Sequence, residues 1–127
     1  MNDFLVKEQL KSYYDLEERT EKFAKRVRNF TKELPKTEEN IEDKKQLIRA
    51  SGSVASNYIE ANEALSKKDF LYRVKVCRKE TKESRLFLRL LDTGEDGNLE
   101  QERIGLIQEV TELMKIFGSI ITKTELK

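Results

Sequence analysis

The sequence predicts an all-α protein, an antiparallel up-down-up-down four-helix bundle formed by a single domain over residues 1–127. Charged residues make up 39% of the chain and hydrophobic residues 37%, a mixture typical of helices with one apolar and one charged face. One proline and five glycines leave long segments unbroken, whereas a sandwich or a barrel needs many more turn residues. Apolar residues recur at three- and four-residue steps in four segments separated by short breaks.

The first segment is predicted to run from about Ser12 to Glu33 and to end before Pro35. Ser12 and Asp15 resemble a capping box, in which a side chain at the start of a helix bonds the backbone of its first turn. Residues 1–11 precede this segment and are expected to form either a frayed arm or an extra helical turn.

The second segment is predicted to begin with Thr37 as its N-cap, followed by two glutamates that suit the positive end of the helix dipole. Its middle, residues 50–56, consists almost entirely of small residues and includes Gly52. Small residues allow another helix to come close, so this composition favours close packing over a hinge.

The third segment is predicted to open at Ser66, paired with Asp69, and to end near Asp92. A glycine-containing loop follows, and Asn98 is the expected cap of a fourth helix that ends near Thr122. Helices of roughly 20–27 residues are about 30–40 Å long at 1.5 Å per residue. Short connections between such helices place consecutive ones antiparallel.

The composition argues against ordinary catalysis. Histidine is absent, which removes the commonest general base and the commonest transition-metal ligand. The single cysteine, Cys77, is expected to be an inert buried thiol. We therefore predict a protein that is not an enzyme and holds no metal or cofactor. No signal peptide or membrane-spanning run is recognisable, so we expect a cytoplasmic protein with no membrane partner.

The third segment carries a basic stripe along one side of its predicted helix. Residues 67–91 have a net charge of +6. On a helical wheel the stripe lies within an arc of about 120° beside the predicted core arc. The basic stripe consists of Lys67, Lys68, Lys75, Arg78, Lys79, Lys82, Arg85 and Arg89. Lys25 and Arg28 of the first segment are predicted to contribute to the same nucleic-acid-binding surface.

Two interpretations of the basic stripe stay open, a solvated helix face and a surface that binds phosphates with release of counterions. No aromatic residue falls within the stripe to stack on bases, so structured RNA or duplex DNA is the expected ligand rather than a single strand. Residues 92–112 carry a net charge of −6, so the stripe could instead meet the acidic fourth helix of a neighbouring copy.

A second apolar arc lies on the other flank of the third segment. One bundle core needs only one apolar stripe, so a second one indicates a second buried surface. We predict homo-oligomerisation through this apolar arc, the alternative being that it borders a wide core contact. The apolar arc consists of Tyr72, Val76, Phe87 and Leu90, with Glu83 among them.

The second and third segments resemble a known bacterial family. The matching stretches are residues 46–61 (QLIRASGSVASNYIEA), residues 66–70 (SKKDF) and residues 79–84 (KETKES). They are similar to the four-helix-bundle proteins encoded in intervening sequences of bacterial large-subunit (23S) ribosomal RNA genes. The accessory variability determinant of diversity-generating retroelements belongs to the same broad group. Ala61 stands where the family commonly has a glycine, which leaves the end of the second helix open.

The resemblance implies a homopentamer and a nucleic-acid or reverse-transcriptase partner. Its matched polar positions are expected to form a structural set of hydrogen bonds and ion pairs, between the second and third helices or between subunits. These positions are Arg49, Asn57, Glu60 and Glu80, together with Glu83. The leading functional prediction is an oligomeric, non-enzymatic bundle that binds nucleic acid through the basic stripe. The alternative is a scaffold for a reverse transcriptase or another acidic protein.

Overall fold

The structure is a computed structural model that describes the backbone from residue 3 and the side chains from residue 15 onward. Four helices account for most of it, and no strand occurs within the described residues. They are α1 (Asp3–Lys32), α2 (Glu38–Asn62), α3 (Lys67–Leu90) and α4 (Gly97–Glu125). The prediction of an all-α four-helix protein is therefore confirmed.

The helices pack in a ring in which each contacts its two neighbours in the chain order and α4 returns to α1. The backbones of the diagonal pairs, α1 with α3 and α2 with α4, do not come comparably close in the described part of the chain. Arg19 bonds Glu109, whereas Arg26, later in α1, bonds Glu102, earlier in α4. The same reversal of order holds for the other neighbouring pairs, including α1 with α2, where Glu17 meets Asn62 and Arg28 lies over Gly52. The bundle is therefore antiparallel, as predicted.

The first helix begins earlier than the sequence pattern indicates. Its helical backbone is continuous from Asp3, so Ser12 lies inside α1 and does not cap it. The predicted capping pair of Ser12 and Asp15 is therefore wrong, because a residue with helical neighbours on both sides is not at a helix start. Residues 1 and 2 of the predicted arm lie outside the described residues.

The predicted caps of α2 and α3 are confirmed. The Thr37 hydroxyl accepts a hydrogen bond from the Asn40 amide at 3.1 Å, and the Ser66 hydroxyl accepts one from the Asp69 amide at 3.0 Å. Both cap residues have extended backbone, as expected where a helix starts. Each therefore satisfies an amide that has no partner inside its own helix.

The cap of α4 differs from the prediction. Asp96, not Asn98, is the N-cap, and its Oδ1 accepts from the amides of Asn98 and Leu99 at 2.9 and 3.1 Å. A carboxylate satisfies two free amides here and also complements the positive end of the helix dipole. The helix then continues to Glu125, beyond the predicted end near Thr122.

The core contains apolar side chains from all four helices. Val74, Cys77 and Leu88 of α3 are buried in it, and Tyr58 and Phe117 meet across the bundle with ring centroids 5.8 Å apart. The Cys77 thiol donates to the Val54 carbonyl at 3.6 Å, which shows how closely the small residues let α2 approach α3. Burial raises the pKa of Cys77 to about 12, so this thiol stays protonated at neutral pH.

Two helical glycines lie beneath arginine side chains of α1. A Cβ atom on Gly52 of α2 would be 3.2 Å from the guanidinium of Arg28, and one on Gly105 of α4 would be 3.2 Å from that of Arg26. The two arginines are two positions apart and so project to opposite sides of α1. Gly52 therefore makes room for the Arg28 side chain. It is not a hinge, because α2 continues unbroken through it.

A buried asparagine joins the two connections at one end of the bundle. The Asn40 side chain, 1% exposed, donates to the carbonyls of Pro35 and Asp92 at 2.9 and 2.8 Å. Its Oδ1 accepts from the Asp92 amide at 3.0 Å. One side chain therefore satisfies backbone groups on both the α1–α2 and the α3–α4 connections, which is the condition for burying polar groups without loss of stability.

Replacement of this asparagine is expected to destabilise the bundle strongly. Asn40→Ala removes three hydrogen bonds between a buried side chain and the backbone of the two connections, which should lower the free energy of unfolding by about 2–4 kcal/mol. Urea denaturation followed by circular dichroism measures the change. Asn29→Ala, on the exposed face of α1, is the matched control and should change it by less than about 0.5 kcal/mol. Equal effects of the two variants would contradict the role given to Asn40.

The loop before α4 contains one glycine that cannot be replaced freely. Gly94 has a φ of 68°, and a Cβ there would be 3.3 Å from Cγ of Pro35. Gly94→Ala should therefore cost about 1–2 kcal/mol in the free energy of unfolding. Gly97→Ala, where a Cβ meets nothing within 4 Å, is the control and should be neutral or slightly stabilising in the same denaturation experiment. A neutral Gly94→Ala variant would refute this account of the loop.

Candidate nucleic-acid interface on helix α3

The basic stripe lies on the outer face of α3 and extends toward α4. Most of its side chains are exposed, while Arg78 and Arg85 are half-buried. Arg85 Nη1 donates to the Thr111 hydroxyl of α4 at 3.4 Å. The structure therefore places the stripe members of α3 along one continuous helix face, from Lys67 in the first turn to Arg89 in the last.

Most of the positive charge of this face has no carboxylate beside it. Lys75 Nζ lies 3.6 Å from a Glu125 oxygen, and Lys79 Nζ lies 3.6 Å from a Glu80 oxygen. Among the residues whose side chains are described, the other members of the basic stripe have no ion-pair partner. The potential of the stripe is therefore positive over most of its length.

The basic residues of α1 are not part of this face, because α1 and α3 are diagonal in the bundle. Lys25 forms an ion pair with Glu21 at 3.6 Å. Arg28 donates to the Ala24 carbonyl at 3.1 Å and lies over Gly52 on the α2 side. The structure therefore does not place Lys25 and Arg28 on one surface with the basic stripe.

The acidic residues of α4 mostly face α1. Arg19 bonds Glu109 at 2.8 Å and Glu112 at 3.0 Å, and Arg26 bonds Glu102 at 3.0 Å. The hydrogen bond to Glu109 raises the pKa of Arg19. These carboxylates are already engaged within the chain, which leaves fewer of them for the stripe of a neighbouring copy.

The apolar arc is only partly exposed. Tyr72 and Leu90 are 60% and 55% exposed, but Phe87 is half-buried and packs against the core. Val76 is also half-buried. Tyr72 and Leu90 are separated by about 27 Å along the helix, so they do not form one compact patch. Oligomerisation through this arc, and a pentamer in particular, stays a prediction.

The polar residues near the middle of α2 and α3 form an ion-pair group. Arg49 Nη2 lies 2.9 Å from a Glu83 oxygen, and Arg49 Nη1 lies 3.7 Å from Oε2 of Glu80. Glu80 is only 4% exposed, and its Oε2 has no hydrogen-bond partner among the described residues. Burial, followed by the neighbouring Glu83 charge, raises the pKa of Glu80 against the opposing effect of Arg49 and Lys79.

A second polar group links α2 to the first half of α3. Asn57 Nδ2 donates to the carbonyl and hydroxyl of Ser53 at 2.9 and 3.0 Å, which fixes the amide. Its Oδ1 then accepts from Arg73 Nη1 at 3.0 Å. The Arg73 guanidinium lies 5.5 Å from the centroid of the Tyr72 ring. Glu60, the remaining polar position of the predicted set, is exposed and joins neither group in the described structure.

An aromatic residue lies beside the basic stripe, which the sequence analysis did not recognise. Tyr72 and Leu71 line a groove of about 550 Å³ together with three lysines of the stripe. These lysines are Lys67, Lys68 and Lys75. The signal was present in the spacing, because Tyr72 is four residues after Lys68 and three before Lys75, and such positions are neighbours on a helix. Leu86, 50% exposed on the same outer face, was also missed.

Metal binding and membrane insertion can be checked across the described residues. Within the described residues there is no group of three or more acidic, cysteine or histidine side chains that could hold a metal ion. None of the described helices has a stretch long and apolar enough to cross a membrane.

The buried Glu80 is expected to make stability depend on pH. Because its pKa is raised in the folded state, the native protein binds more protons than the unfolded chain between the two pKa values. The contribution of Glu80 to the free energy of unfolding therefore falls as pH rises from about 4 through the native pKa. Glu80→Gln, neutral throughout, should show a smaller loss between about pH 4 and pH 7 in urea denaturation.

The control for this experiment is Glu42→Gln, an exposed carboxylate that lies 3.7 Å from Lys45. Its pH profile should follow that of the unaltered protein. If the Glu80→Gln profile also runs parallel to that of the unaltered protein, burial of the Glu80 charge does not influence stability.

Comparisons with known proteins agree with the fold. The sequence model of the 23S rRNA-intervening sequence protein family matches residues 13–119. The chain is also similar to the crystal structure of a protein with unknown function from the S23 ribosomal protein family of Bacteroides thetaiotaomicron VPI-5482. That similarity has 28% identity and a TM-score of 0.72 and covers 84% of this chain and 97% of that chain. No curated protein matches the sequence. Because the family match spans most of the chain, the protein belongs to the 23S rRNA-intervening sequence protein family.

Proposed function

We propose that this protein is a non-enzymatic, cytoplasmic nucleic-acid-binding bundle that contacts structured RNA or duplex DNA through the basic stripe of α3. The observation that carries the proposal is the uneven neutralisation of charge. Arg19 and Arg26 of α1 are paired with glutamates of α4, whereas Lys68, Lys82 and Arg89 of α3 have no carboxylate partner in the described structure. Unpaired cations on one face attract polyanions.

The dimensions of the stripe support a polyanionic partner. From Lys67 to Arg89 the stripe is about 33 Å long at 1.5 Å per residue. One turn of B-form DNA is about 34 Å, so one helix face matches the phosphates of roughly one turn of duplex DNA. Lysine and arginine bind such phosphates mainly through release of condensed counterions. The family and its solved relative carry names that refer to ribosomal RNA and a ribosomal protein, so RNA is the first ligand to test.

The exposed leucines of the same face favour a second candidate, a protein partner with acidic and apolar residues. Leu86 and Leu90 are 50% and 55% exposed among the basic residues. A scaffold that binds an acidic protein such as a reverse transcriptase would use both kinds of contact. Binding that survives nuclease treatment would support this candidate. A homo-oligomer, with five copies implied by the resemblance, is a separate proposal that light scattering checks.

Charge reversal of the stripe should abolish binding. In a variant with Lys75→Glu, Arg78→Glu, Lys79→Glu and Lys82→Glu, four phosphate contacts become repulsive. Affinity for an RNA duplex should fall by at least about a hundredfold at low salt. The slope of log affinity against log salt concentration should lose about 4 for the four contacts removed. Fluorescence anisotropy with a labelled duplex measures both quantities.

The matched control reverses the same amount of charge on other faces, with Lys22→Glu, Lys32→Glu, Lys36→Glu and Lys45→Glu. All four residues are exposed on α1, on α2 or between them. This control should keep most of the affinity and the steep salt dependence. Circular dichroism verifies that both variants are folded. Equal losses in the two variants would show that net charge, and not the α3 face, determines binding.

A further inference from the structure

We infer that Tyr72 is a stacking platform for an unpaired base of a nucleic-acid strand whose phosphates are held by the lysines around it. This inference rests on the proposed function and adds a preference for duplexes that end in a single strand. The side chains involved line the groove at the first half of α3.

The groove combines the two contacts that an unpaired nucleotide needs. Tyr72 is 60% exposed, and Leu71 beside it gives an apolar floor. Lys67, Lys68 and Lys75 surround these two side chains. Base stacking on an aromatic ring tolerates any base, and lysines alongside track the backbone, which is the general design of single-strand binding surfaces.

The ring is held in place by a chain of contacts that begins on α2. The Asn57 amide is fixed by two hydrogen bonds to Ser53, and its Oδ1 accepts from Arg73. The guanidinium of Arg73 then lies 5.5 Å from the Tyr72 ring centroid. A ring packed against a fixed cation loses less conformational freedom when a base binds, so the platform is preorganised. This gives Asn57 and Arg73 a positioning role.

The lysines of the groove are available to phosphates. Lys68 has no ion-pair partner among the described residues. Lys67 donates to the Lys127 carbonyl at 2.6 Å, and Lys75 is 3.6 Å from Glu125. Both contacts involve exposed groups near the end of α4, and an exposed ion pair such as that of Lys75 is weak enough to exchange for a phosphate.

The test compares a blunt RNA duplex with the same duplex carrying a short single-stranded uridine overhang. The unaltered protein should bind the overhang duplex about tenfold more tightly, as expected for one stacked base. Tyr72→Phe should keep this preference because it keeps the aromatic face. Tyr72→Ala should lose most of it while binding the blunt duplex as before. Ile59→Ala, about equally exposed but on α2 and outside the groove, is the control and should keep it.

A direct signal for stacking is available because the chain contains no tryptophan. Tyr72→Trp introduces a single indole at the platform, and a stacked base quenches indole fluorescence. The overhang duplex should quench it strongly and the blunt duplex should not. The quenching amplitude at saturation should persist at high salt, since stacking, unlike phosphate binding, depends little on ionic strength.

Several outcomes would overturn the inference. If the unaltered protein binds both duplexes equally, or if Tyr72→Ala keeps the preference, the ring is not a platform, while binding to the stripe still stands. A decrease in particle mass caused by Tyr72→Ala would instead assign the ring to a contact between copies. If neither duplex binds at low salt, the proposed function fails together with the inference.

Discussion

The bundle depends on one buried amide at the end where two connections meet. Asn40 is in the first turn of α2, yet its side chain bonds the backbone on both sides of that end, at Pro35 and at Asp92. A buried amide left without partners would oppose folding, so the arrangement is stable only when both connections are in place. Asn40 therefore fixes the position of the start of α2 relative to the end of α3. The alignment of α2 with α3 follows from this, including the contacts of Arg49 with Glu83 and of Asn57 with Arg73.

Charge is distributed unequally among the helices, and that distribution determines which surface can act on other molecules. The α1–α4 contact uses arginines on one side and glutamates on the other, so these charges serve the fold. The α2–α3 contact uses Arg49 in the same way, between Glu80 and Glu83. On the outer face of α3, Lys68, Lys82 and Arg89 have no carboxylate partner among the described residues. A net charge of +1 for the whole chain hides this difference between faces.

Local features of the sequence predicted most of the fold. Periodicity located four helices, and the cap residues Thr37 and Ser66 were identified because an N-cap acts within one turn of itself. The predicted cap of α4 was two residues too late in the chain, since Asp96 and Asn98 are both good cap residues and only the backbone geometry decides between them. The start of α1 was missed because helical backbone continues N-terminal to the apolar stripe used to locate it.

Features that depend on contacts between distant residues could not be predicted. Asp92, one partner of Asn40, is 52 positions away from it in the sequence, and nothing in the local sequence indicates that pairing. The pairing of the α4 glutamates with Arg19 and Arg26 could not be predicted either, so residues 92–112 were interpreted as an unpaired acidic surface. Tyr72 was assigned to the apolar arc because a helical wheel separates arcs by residue type, whereas a real groove brings neighbouring arcs together.

The two glycines beneath the α1 arginines have a consequence for the mechanics of the bundle. Gly52 and Gly105 form notches on the helices that flank α1, and each notch holds one guanidinium. Because Arg26 and Arg28 project to opposite sides, α1 contacts both α2 and α4 in this way at nearly the same level along its axis. A slide of α1 by one turn, or a rotation about its axis, would drive a guanidinium against a full side chain. The notches therefore help to set the axial position of α1, in addition to its buried apolar side chains and its ion pairs with α4.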